Sequence, residues 1–166
     1  MSRKISKLLD AHPHLAPLSG WHLSVALVIE QQHPSWMGDA QVGRYEKEVF
    51  LEIVRVSPVD GQRIYFSSTS GYRLTYGLGL WHGHKYTDEK RDDVYRNWYY
   101  PNIELALRDT FKILDNIIAE SWIVVKRHDG GSQLCSLVWF EESDKSDVSL
   151  TNSWLGTYDK TYEHND

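Results

Sequence analysis

Between Pro101 and Glu120 the apolar residues Ile103, Ala106, Leu107, Phe111, Leu114, Ile117 and Ile118 fall on one stripe of a 3.6-residue repeat. That pattern predicts an amphipathic helix, with Asn102 as N-cap and Glu104 complementing the dipole in the first turn. One apolar stripe must be covered by something, and the segments before and after it read with a period of two. The helix is therefore expected to lie across a sheet, which sets the fold class as α+β.

The strand-like segments come in pairs joined by turn residues. Glu48 to Val56 and Gln62 to Ser68 flank Ser57-Pro58-Val59-Asp60-Gly61. Tyr72 to Trp81 follows a second turn cluster, Ser67-Ser68-Thr69-Ser70-Gly71, in which the serines read as turn chemistry. Ser121 to Arg127 and Gln133 to Glu141 flank His128-Asp129-Gly130-Gly131 as another hairpin. Trp21 to Gln31 also alternates, Trp21, Leu23, Val25, Leu27 and Ile29 against His22, Ser24, Ala26, Val28 and Glu30, and is expected to be a long strand. Together these give an antiparallel β-meander of about six strands in hairpins, packed by one long helix, with a short N-terminal helix over Ser2 to Asp10.

The 166 residues suit a single domain over 1–166. Residues 1–18 form the N-terminal helix and a proline-containing lead-in, and 142–166 a polar, partly ordered tail that Trp154, Leu155 and Tyr158 could pin to the body. The start of the chain has no long apolar core with a cleavage site, and no stretch reaches the roughly 20 apolar residues of a membrane span, so a cytoplasmic protein is expected. Net charge is -5, which argues against nucleic acid and anionic membrane as partners and fits a basic protein. The single cysteine, Cys135, rules out an intrachain disulfide and a cysteine zinc site; lying in an apolar run, it is expected to be buried.

Aromatic residues are abundant, with 7 Trp and 10 Tyr, and they crowd into Trp81–Tyr100, the segment between the meander and the helix. There His82-Gly83-His84 has strand spacing that would aim two imidazoles the same way. A catalytic metal would need a third ligand, and Asp88, Asp92, Asp93 and His128 stand at no recognised spacing from the pair. The run Asp88 to Asp93 mixes signs, as on the solvated face of a short helix over 87–98 capped by Thr87. No GxSxG is present, and Tyr76-Gly77-Leu78-Gly79-Leu80 lacks the third glycine, the lysine and the helix of a nucleotide loop. Gly77 and Gly79 instead clear space on one strand face. Trp36 and Met37, in the loop after Pro34, either fold back onto the core or form a contact knob.

What stands out is the aromatic-plus-arginine make-up of a protein-binding surface. Its candidate contact residues are Trp81, His82, His84, Tyr86, Arg91, Asp92, Asp93, Arg96, Tyr99, Tyr100 and Trp36. The reading is a small acidic binding or inhibitor protein, most concretely of the bacterial toxin-immunity type, which neutralises a basic toxin or enzyme domain and needs no cofactor, metal or catalytic residue. An unpaired edge strand would also allow a homodimer. Two alternatives are an enzyme with a non-standard site near His82 and His84, such as a metal-assisted hydrolase, and a small-ligand module stacking a sugar or nucleotide on its aromatics.

Overall fold

In the computed structural model, residues 2–69, 72–79, 81–87, 100–129, 132–139 and 148–161 are described. The chain opens with α1 (Arg3–Ala11), whose N-cap Ser2 accepts the Ile5 N–H at 3.4 Å. A 3-10 turn at Pro13–Leu15 leads to α2 (Gly20–Gln32) and the single-turn α3 (Pro34–Met37). Five strands follow: β1 (Ala40–Tyr45), β2 (Glu48–Val56), β3 (Arg63–Thr69), β4 (Arg73–Leu78) and β5 (Trp81–Tyr86). They form an antiparallel sheet in sequence order, the expected meander. In its first pair Ala40 stands opposite Ile53 and Tyr45 opposite Glu48. The long helix is α4 (Ile103–Ile118), and Asn102 Oδ1 caps it by accepting the Leu105 N–H at 2.9 Å.

Strands β6 (Trp122–Asp129), β7 (Ser132–Trp139), β8 (Val148–Asn152) and β9 (Lys160–Thr161) make a second sheet in the order β7-β6-β8-β9. Its β6–β7 hairpin pairs Trp122 with Trp139 and Asp129 with Ser132. The described residues thus hold more strands than the sequence pattern suggested: β1, β8 and β9 are strands where loop or tail was expected, and the expected strand over 72–81 is split, β4 stopping at Leu78 and β5 beginning at Trp81. Gly79, with φ of 56°, makes the break; it serves a turn and does not open a sheet face. The polar tail supplies β8 and β9 and a buried Trp154, where loop was expected.

The largest departure is α2, read from the sequence as a strand. Its buried residues Val25, Ala26 and Ile29 fall on one helical face, but Trp21, Leu23, Leu27 and Val28 make the segment apolar almost all round. Such a segment satisfies a period of two as readily as one of 3.6, so periodicity cannot decide.

Contacts group the chain into two compact units. The first comprises Met1–Arg55, Tyr65–Tyr76 and Gly83–Phe111, and the second Val56–Ile64, Gly77–His82 and Lys112–Asp166. The first unit is centred on Phe111, which packs at ring-centroid distances of 5.3 Å from Phe66, 5.0 Å from Trp36 and 4.6 Å from His33. Burying one such aromatic ring contributes about 1.5–3 kcal/mol. Leu51, Ile53 and Leu74 are fully buried in the same unit. Trp36, offered by the sequence as a contact residue, is 2 % exposed. Its outer face is covered by Arg55, whose guanidinium lies 3.7 Å over the ring while bonding Asp39 and the Ser35 carbonyl.

The second unit contains a core of Ile123 and Val125, against which Val138 and Tyr158 pack. Cys135 is exposed, not buried as its apolar neighbours suggested: alternation along β7 puts it on the opposite face of the strand from Ser136 and Val138. Among the described residues no helix is long and apolar enough to cross a membrane.

Candidate functional site

The aromatic segment divides at the end of β5. Arg91, Asp92, Asp93, Arg96 and Tyr99, with the short helix expected over 87–98, fall on residues outside those described. On β5, Trp81 is half-buried, His82 exposed and Tyr86 buried. His84 Nδ1 is 3.1 Å from Thr75 Oγ1, so this imidazole is engaged with the neighbouring strand. Among the described residues no group of three or more His, Cys, Asp or Glu side chains is placed to hold a metal ion.

A cluster that sequence reasoning missed surrounds Lys85, which is 8 % exposed. Lys85 Nζ donates to the Tyr100 hydroxyl and lies 4.3 Å over the Tyr100 ring. Tyr100 in turn donates to the Asp109 carboxylate on α4, where Arg108 also donates at 3.1 Å. The Tyr100 backbone N–H reaches the Tyr86 carbonyl at 2.8 Å. These bonds fasten the residue before Pro101 to β5 and so fix where α4 begins.

Burial pushes the Lys85 amine below its ordinary range, and the Asp109 charge only partly opposes it. Burial, the bond to Asp109 and its charge push the Tyr100 phenol up to about 12. Tyr76 is pushed up more strongly by burial and then by Tyr100 and Asp109. Asp109 stays below the usual carboxylate range because bonds from Arg108 and Tyr100 outweigh burial. Beside this cluster Gly83 admits the Tyr76 ring: a Cβ there would stand 2.8 Å from Tyr76 Cζ. Amine, phenol and carboxylate are suited to acid–base chemistry in kind; Lys85 and Tyr76 are enclosed, Tyr100 and Asp109 partly exposed, and their bonds join β5 to α4.

A second cluster joins α2 to the sheet. His22 Nδ1 is 2.8 Å from Ser68 Oγ, and its Nε2 is 3.8 Å from Glu48. Acid, imidazole and hydroxyl in sequence suggest an activated serine. Yet Ser68 is fully buried in β3, and its oxygen accepts the Leu51 N–H at 3.0 Å. No substrate carbonyl can approach it. Burial holds the His22 imidazole below its usual range despite Glu48 and Ser68, so it stays neutral at neutral pH. Between α1 and α2 lies an open depression of about 300 Å³, lined by Lys4, Lys7, Leu8, Leu27, Glu30 and Gln31.

In contrast to these enclosed ionisable groups, several large apolar side chains face outward, among them Tyr45, Val56, Val59, Tyr72 and Leu155. Tyr72 is half exposed and its backbone is left-handed, with φ of 57°. Its ring meets Trp21 edge-on at 5.1 Å. Comparison with family models, with curated proteins and with solved structures found no match.

Proposed function

We propose that this chain works by binding another protein, most concretely as a cytoplasmic inhibitor of the toxin-immunity type whose partner is a basic toxin or enzyme domain. The observation that carries the reading is the Trp21–Tyr72 pair. A tyrosine in left-handed backbone is strained by about 1–2 kcal/mol, and such strain persists where the surroundings or a function require it. Here it holds a half-exposed ring edge-on against a tryptophan, an arrangement suited to an interface anchor. The enclosure of Ser68 and Lys85, and the net charge of -5, support the same reading.

A native pull-down with tagged full-length chain is expected to recover one stoichiometric partner. Tyr72→Gly eases the backbone while deleting the ring, so the fold should persist and the affinity should fall by at least about tenfold. Recovery of no stoichiometric partner, or equal affinity for Tyr72→Gly, would count against the proposal.

A further inference from the structure

We infer that the tip of the β2–β3 hairpin and the loop over 153–159 form a docking surface for a partner protein that presents an arginine or lysine beside an apolar side chain. The inference rests on the binding reading above and specifies the chemistry of the partner. Its centre is aliphatic: Val59 is 65 % exposed and Leu155 42 %. The two belong to one surface, since a Cβ on Gly156, next to Leu155, would stand 3.9 Å from Val59 Cγ1. Exposed aliphatic residues scattered singly need no explanation; two on neighbouring stretches of hydrogen-bonded backbone are what a contact site requires.

Both halves are held by bonds of their own. At the hairpin tip the Ser57 N–H reaches the Gln62 carbonyl at 2.7 Å, and the Val59 N–H reaches Ser57 Oγ at 3.2 Å. In the loop the Leu155 N–H donates to Glu120 at 2.6 Å, and Asp159 Oδ1 accepts the Ser153 N–H at 2.6 Å. Binding there would cost little ordering entropy.

The rim supplies charge. Gln62 Nε2 donates to Asp60 Oδ2 at 2.6 Å and to Asp159 Oδ2 at 3.4 Å, so two exposed carboxylates converge on one neutral nitrogen. The amide holds them together without cancelling their charge. Bonds from Gln62, the backbone N–H first, keep the Asp60 carboxyl below its ordinary range, so it is ionised at neutral pH. A guanidinium or ammonium placed there would relieve the repulsion of the pair while its aliphatic stem lies on Val59 and Leu155. The overall charge of -5 would draw such a partner in.

The test is selection of a displayed library of short random peptides on the intact immobilised chain. Selected peptides should be rich in Arg or Lys next to an apolar residue. Val59→Arg should weaken them by at least about tenfold, and Asp60→Asn, which retains its turn bond to Gln62, by about threefold. Raising salt from about 0.05 to 0.5 M should weaken them further. No peptide above background, no enrichment of basic residues, or indifference to Val59→Arg would overturn the inference. Peptides lost on Tyr72→Gly but retained on Val59→Arg would leave the binding reading standing and remove this surface. Thermal melts of Val59→Arg and Asp60→Asn should match that of the parent, as expected for exposed substitutions.

Discussion

Lys85 and Glu120 expose similarly little surface, 8 % and 9 %, but the amine lies deeper in the protein, and their surroundings treat charge in opposite ways. Around Lys85 burial outweighs the attraction of Asp109, and the amine is pushed towards its neutral form. Around Glu120 burial also opposes charge, but bonds from Thr157, the Leu155 N–H and Ser153 outweigh it and hold the carboxyl below its ordinary range. The difference lies in the greater depth of Lys85 and in the donors and acceptors aimed at each group. Glu120 receives a backbone N–H at 2.6 Å together with hydroxyls, whereas Lys85 has a phenol oxygen and the face of a ring. Each unit thus buries a charge, and only the second repays its desolvation.

The largest expected effect is from Glu120→Ala, which leaves the Leu155 N–H and the Thr157 hydroxyl without this acceptor, while the Ser153 hydroxyl keeps Asp159 Oδ1 at 3.3 Å. Urea denaturation should show a loss of about 2–3 kcal/mol. A loss below about 0.5 kcal/mol would break the contrast. Gly83→Ala comes next, since its Cβ enters the Tyr76 ring; about 1–3 kcal/mol of stability should disappear. Lys85→Met should be within about 1 kcal/mol of the parent, or more stable, because an apolar side chain of similar length removes an uncompensated burial cost. A large loss there would mean that the Tyr100 bond offsets desolvation after all.

The pH arms sharpen the same comparison with smaller effects. The Glu120 carboxyl is depressed in the folded chain, so its stabilisation is present above the ordinary value of 4.5 and is lost as pH falls through the folded value. Lys85 is depressed from 10.5, so the unfolded chain binds more protons between the two values. Stability of the parent relative to Lys85→Met should therefore rise as pH climbs through the folded value towards 10.5. Comparing the two proteins removes the opposing effect of Tyr76 and Tyr100, whose raised values make stability fall above pH 10. His22 adds a third arm: its lowered value predicts destabilisation as pH falls below 6.5, absent in His22→Gln.

Local signals were legible wherever one period dominated. The stripe of α4, the Asn102 cap and the hairpins built on β2–β3 and β6–β7 all follow from residue spacing and turn chemistry. Spacing failed at α2, where Val25, Ala26 and Ile29 are hidden among equally apolar neighbours, and at Gly79, where alternation ran on through a turn. The candidate contact residues fared unevenly. His82 is exposed on β5, Tyr86 and Trp36 are buried, and Arg91, Asp92, Asp93, Arg96 and Tyr99 lie outside the described residues. Nothing in the spacing of Lys85, Tyr100 and Asp109 marks them as a cluster, because they come from a strand, a connector and a helix.

What the sequence by itself determined about Trp81–Tyr100 is its composition and the point where it gives way to α4. Tertiary structure decided that its first six residues are a strand, that Lys85 turns inward, and that Tyr100 is tied to Asp109. It likewise turned Trp36 into core beneath Arg55 and left Tyr72, Val59 and Leu155 outside. The physical reason is common to all of these. Periodicity reports which residues share a face of one element, whereas burial and hydrogen bonding depend on which other element arrives at that face.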